Sequence, residues 1–174
     1  MTKAIDWVVN IALLIAVMYA FTARGVASPT SAQLPPYIQG EVVPALPGAD
    51  YAAVDQTVVL FLRSSCIYCE QSLPFYRRLV EARELRRASI RLVGITLENK
   101  EILDAFLVKG SVKLDATASV DVGDWKKLAK TPTVIVVDRE GRVVKSWVGL
   151  LAPPLENEVL QQLKLRTGLW TLFN

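Results

Sequence analysis

The 174 residues pass through three regimes of hydrophobic and polar patterning. From Trp7 to Ala23 (WVVNIALLIAVMYAFTA) no charge interrupts the chain, with Lys3 before the run and Arg24 after it. As a helix this run would span roughly 25 Å against a hydrocarbon core of about 30 Å, so its length fits either a retained single-pass anchor or a cleaved signal. No clean small-x-small cleavage site follows a short apolar core, and residues 1–25 are therefore expected to stay as an anchor. Residues 26–50 carry five of the nine prolines and no periodicity, which predicts an extended linker.

From Tyr51 the pattern becomes that of a folded domain, expected over 51–166. Thr57-Val58-Val59-Leu60-Phe61-Leu62 reads as a buried parallel strand. Ser64 and Ser65 are expected to cap a helix with apolar lines Leu73/Tyr76/Val80 and Phe75/Leu79/Ala82. Ile90–Leu97 is a second strand. Asn99 should cap a helix through Ile102, Leu103 and Phe106 that Gly110 stops. After a polar stretch and a short helix around Trp125–Lys130, Thr133–Val137 and Arg142–Trp147 flank a DREG turn as a hairpin. Pro153 and Pro154 open a last helix with Leu155, Val159 and Leu163 on one face. The order β-α-β-α then β-β-α implies an α/β fold with a central mixed sheet flanked by helices. An apolar tail, 167–174, follows; Trp170 and Phe173 in it could meet a bilayer interface, a partner or the domain itself.

Composition narrows the chemistry. With no histidine, a Ser-His-Asp triad, a His-ligated zinc or haem and an imidazole base are out of reach. Two cysteines cannot complete a four-ligand Cys/His zinc site, and Glu70 rather than His follows the second, so no metal or haem is expected. A net charge of +3, from 20 basic against 17 acidic residues, gives no electrostatic case for nucleic acid. The arginines at 77, 78, 83, 86, 87 and 91 could face lipid or an acidic partner, or simply solvent.

The two cysteines form one motif, Cys66-Ile67-Tyr68-Cys69, where the first strand passes into its helix. Free N–H groups and the dipole at a helix start favour a thiolate at Cys66, the sulfur nearer solvent. Cys69, one turn on, can attack a mixed disulfide formed at Cys66. A passive disulfide would close only a four-residue loop and stabilise little. Cys66 is thus expected to be the nucleophile and Cys69 the resolving thiol of a catalytic disulfide.

The sequence resembles the thioredoxin-like superfamily, and within it the membrane-tethered thiol-disulfide oxidoreductases of cytochrome c maturation and related extracytoplasmic reduction. The resemblance rests on CIYC after VVLFL, Pro74 five residues beyond the second Cys, Thr131-Pro132-Thr133 before a strand, and DREGRVVKSWVG as a closing hairpin, and it covers about 51–166. It implies a cis Pro132 packed against the disulfide and a Thr131 backbone that pairs with substrate. Tyr68 either presents its ring to a docking protein or shields Cys69. The resemblance further implies protein disulfides as substrates, a membrane-embedded dithiol as electron donor, no cofactor beyond the dithiol, and a domain on the extracytoplasmic side of the cytoplasmic membrane.

Departures from the pattern matter too. The buried acid that thioredoxins place six residues before the first Cys is Leu60 here, and Ser72 stands where some cytochrome-maturation reductases carry an acid. Nothing cationic lies between the cysteines and Glu70 is adjacent, which points to a reductant rather than a strong oxidant. Two other readings remain: a non-catalytic thioredoxin-fold subunit of a membrane complex, and a peroxide reductase. The second lacks the Pro and Thr expected upstream of its reactive Cys, where Val59 and Arg63 stand.

Overall fold

A computed structural model of the chain describes residues 37–165. The expected anchor (1–25), the first part of the linker and the apolar tail lie outside them. Among the described residues no helix is long and apolar enough to cross a membrane.

Five strands, β1 (Gln56–Phe61), β2 (Ile90–Thr96), β3 (Ala116–Ser119), β4 (Thr133–Val137) and β5 (Val143–Val148), form one sheet in the order β3-β2-β1-β4-β5. β1 runs parallel to β2 and β2 to β3, while β4 is antiparallel to both β1 and β5. The helices are α1 (Ile67–Arg86), α2 (Lys100–Lys109) and α3 (Pro153–Gln162). Central strands are apolar on both faces because both are covered. Val58, Leu60, Leu92 and Val134 share one core with residues of all three helices, including Leu79, Leu103 and Val159. Val59, Phe61, Val93 and Ile135 face a second core closed by Tyr37, Val43, Leu46, Trp125 and Leu128.

That second core corrects the expected linker. From Tyr37 onward the chain is part of the domain: Gly40 N–H donates to the Val143 carbonyl at 2.8 Å, Val143 N–H to Glu41 at 2.7 Å, and Val43 N–H to Gly141 at 2.9 Å. Tyr37, Val43 and Leu46 are buried. Their irregular spacing follows no helical or strand period, so pattern alone could not reveal them. Two further expectations fail nearby. Residues 125–130 form turns rather than a helix, and β3 was hidden in the polar stretch because its four residues Ala-Thr-Ala-Ser lie at the sheet edge with one fully buried side chain.

The hairpin and the capped helix hold. Asp138 Oδ1 accepts from Glu140 N–H at 3.1 Å and Arg142 N–H at 2.8 Å, and Gly141 supplies the positive φ, +72°, that closes the turn. Asn99 caps α2 through Glu101 N–H. Leu155, expected on the buried face of α3, is instead exposed, while Val159 and Leu163 are buried. Gly110 ends α2 as expected, with an ordinary φ of −80°. Its lack of a side chain serves packing, since a Cβ there would stand 2.7 Å from Leu73 Cδ2 on α1. Gly110→Ala is therefore expected to destabilise the domain by about 1–3 kcal/mol through overpacking, read as a lower urea midpoint at unchanged slope.

Candidate active site

β1 and β2 stop pairing one residue beyond β1, where Leu62 N–H reaches the Ile95 carbonyl at 2.9 Å. The chain then turns through Arg63–Ser65, and Cys66 N–H closes the turn on the Arg63 carbonyl at 3.2 Å. Cys66 is itself the N-cap of α1, in place of the expected Ser64 and Ser65: its backbone is extended (φ −93°, ψ 113°) and its Sγ accepts from Cys69 N–H at 3.4 Å. A sulfur thus occupies the position that a Ser or Asp oxygen usually takes at a helix start. The first-turn N–H groups and the positive end of a 20-residue helix face it.

The two thiols sit in opposite environments. Cys66 is half-buried and Cys69 is 0% exposed. Partial burial of Cys66 opposes ionisation, but hydrogen bonds from the Thr131 side chain, the Cys69 thiol, and Cys69 and Tyr68 N–H outweigh it and hold Cys66 below the ordinary thiol value. Burial pushes the Cys69 thiol up to about 12, against a smaller lowering contribution from the Arg63 backbone. The first Cys is the more readily ionised, more accessible sulfur and the second the shielded one; the largest favourable contribution at Cys66 comes from Thr131, and the helix-start N–H groups of Cys69 and Tyr68 add to it.

Tertiary structure brings Thr131 to this pair across 65 residues of sequence, and the Cys66 thiol donates to its carbonyl at 3.5 Å. The Thr131–Pro132 bond is cis. The loop is tied on both sides, by Gly149 N–H to the Pro132 carbonyl at 2.7 Å and by Thr133 Oγ1 to the Lys130 carbonyl at 2.7 Å. Pro132 is buried and Thr131 half-exposed. Tyr68 is 54% exposed on the first turn of α1, beside an equally open Ile67. Among the described residues no His/Cys/Asp/Glu group could hold a metal ion.

The surroundings of the motif add contacts that the sequence did not reveal. Leu60 is fully buried, so nothing acidic lies beneath the motif at that position. Ser72 is also buried and donates to the Tyr68 carbonyl at 2.7 Å, with the hydroxyl of buried Tyr76 as its neighbour. Burial pushes the Tyr76 phenol up. Their i, i+4 spacing from Tyr68 and Ser72 was visible in the sequence, but their polarity was hidden in an apolar stripe. Glu98, just beyond β2, reaches the motif turn: its Oε2 accepts from Ser64 N–H at 2.9 Å and its Oε1 stands 3.9 Å from Arg63 Nε. The available signal was its place at the carboxyl end of the strand beside β1, where parallel sheets gather their functional groups. Glu70, the carboxylate adjacent to the motif in sequence, is exposed.

The chain matches no protein-family model and no curated protein. Solved structures do match. A candidate thiol:disulfide interchange protein DsbE from Chlorobium tepidum is 22% identical, over 74% of this chain and 96% of its own, with a TM-score of 0.59. The thioredoxin domain of a thiol-disulfide oxidoreductase from Bacteroides vulgatus is 19% identical over 71% and 96%, with a TM-score of 0.55. StoA from Bacillus subtilis is 16% identical over 74% and 97%, with a TM-score of 0.53. At such identities the shared property is architecture: with its βαβ-plus-hairpin sheet, and with CIYC at the head of α1, the chain has the thioredoxin-like fold found in thiol:disulfide interchange proteins.

Proposed function

We propose that this protein is a membrane-anchored thiol-disulfide oxidoreductase that reduces protein disulfides outside the cytoplasm. The observation that carries the reading is the asymmetry of the dithiol beside the Thr131–Pro132 loop: an ionisable, reachable Cys66 and a buried, strongly protonated Cys69. The Cys66 thiolate attacks one sulfur of a client disulfide; the other leaves as a thiolate and takes up a proton. Cys69 then loses its proton and attacks Cys66 Sγ, the client's second thiol departs, and a Cys66–Cys69 disulfide remains. Two electrons have passed to the client, and a membrane-embedded dithiol donor returns them. Thr131 pairs with the client backbone, Pro132 closes the site beneath it, and the open rings and methyls of Tyr68 and Ile67 meet the client's surface. Residues 1–25 hold the domain at the cytoplasmic membrane.

Cys69→Ala is expected to stall the cycle at the first step and accumulate Cys66-linked mixed disulfides with client proteins in membranes of the native host, seen as non-reducing gel bands that collapse with dithiothreitol. If no such adduct forms and Cys66 also resists alkylation after mild reduction, the catalytic reading gives way to that of a thioredoxin-fold subunit.

A further inference from the structure

We propose that Glu98 is a positioning residue for the dithiol, whose carboxylate accepts from Ser64 N–H and so fixes the Arg63–Ser65 turn that presents Cys66. The role rests on the dithiol chemistry proposed above. Beyond Leu62 the β1–β2 ladder has ended, and the Ser64 amide, half-buried, takes a side-chain acceptor where no strand carbonyl remains. Glu98 is suited to this because it is itself held: its N–H donates to Thr96 Oγ1 at 3.1 Å, and its carbonyl accepts from Ser119 Oγ of β3 at 2.7 Å. The neighbouring Asn99 caps α2. A rigid strand end thereby grips the turn from outside, while Cys66 N–H grips it from inside through the Arg63 carbonyl at 3.2 Å. The same turn supplies the Arg63 backbone that favours the thiolate of Cys69. Releasing Ser64 frees both sulfurs' support.

What matters in this account is reach rather than charge. The second contact, Arg63 Nε at 3.9 Å with Arg63 half-exposed, is a screened surface pair and contributes little. Glutamine keeps an acceptor oxygen at the same distance along the side chain, whereas aspartate keeps the charge one methylene short of Ser64.

The test is the pH profile of Cys66 alkylation by iodoacetamide in the full chain, read by mass spectrometry on wild type, Glu98→Gln, Glu98→Asp and Glu98→Ala. Glu98→Asp and Glu98→Ala should alkylate about fivefold more slowly at neutral pH, with the midpoint moved up, and Glu98→Gln should stay within about twofold of wild type. Amide exchange at Ser64 should lose protection in Glu98→Asp and keep it in Glu98→Gln. The proposal is overturned if Glu98→Asp matches wild type, or if Glu98→Gln is slowed as much as Glu98→Ala. Should Glu98→Ala fail to fold, the Asp and Gln pair decides. Alkylation needs only a poised thiol, so a wild type that alkylates as expected but forms no mixed disulfide would overturn the oxidoreductase reading while the series still judges Glu98.

Discussion

Cys66→Ser should abolish disulfide exchange, lowering the rate by about a thousandfold or more, because a serine hydroxyl is not ionised near neutral pH and cannot act as the attacking sulfur. The wild-type rate should carry a distinctive pH signature. Attack depends on the fraction of Cys66 present as thiolate, so it climbs about tenfold per pH unit and levels off once pH passes the thiol's value, which lies below the ordinary 9.0. Resolution depends on Cys69, whose thiol burial pushes up to about 12. Once Cys66 is tied into a mixed disulfide its own charge no longer opposes Cys69 ionisation, but burial, the largest contribution, remains. Resolution should therefore keep accelerating with pH after attack has reached its plateau. Leu60 and Ser72, both buried on the elements that flank the motif, supply no carboxylate to take the Cys69 proton. Stopped-flow reduction of a disulfide-bonded peptide, followed by acid quenching and mass analysis, separates the two phases. A single pH-independent phase, or full activity in Cys66→Ser, would sink the mechanism.

Trp125→Ala is expected to be the most destabilising single change away from the motif, at about 3–5 kcal/mol. Trp125 is 2% exposed and stands edge-on to Tyr37, with ring centroids 5.9 Å apart and planes at 71°. Lys127 lies over the same Tyr37 ring and pairs with Glu41, so the 121–128 turns and the 37–46 segment clasp each other across the second face of the sheet. Removing the indole leaves a cavity that turns and irregular chain can only partly collapse around. The urea midpoint should fall accordingly, and limited proteolysis should begin within residues 37–50. A loss below about 1 kcal/mol would mean that this face is not held by aromatic packing. The sheet's other face has its own helices, and the Cys66 alkylation profile should be little changed in the folded fraction.

Much of the site was legible because its chemistry is local. A CxxC pair between a β-branched strand and a helix start carries part of its own electrostatics, and the structure places Cys66 at the head of α1 with Cys69 one turn on and buried. Thr131 and Pro132 were legible only through resemblance: nothing within TPT itself says that it touches a sulfur 65 residues away. Glu98, Ser72 and Tyr76 escaped for a different reason. A buried polar group is recognised by its partner, and partners such as the Ser64 amide and the Tyr68 carbonyl become visible only when the chain is folded.

The sequence by itself determined four of the five strands, the three helices and the place of Cys66 at the head of α1, since periodicities of two and 3.6 residues and the character of a helix start are written into short stretches of chain. Tertiary structure alone decided three things: that residues 37–50 of an apparent proline-rich linker help close the second core, that a four-residue edge strand completes the sheet, and that Glu98, just beyond the neighbouring strand, accepts from the Ser64 amide ahead of Cys66. Each depends on what lies opposite in space, and burial without period leaves no trace in a one-dimensional pattern.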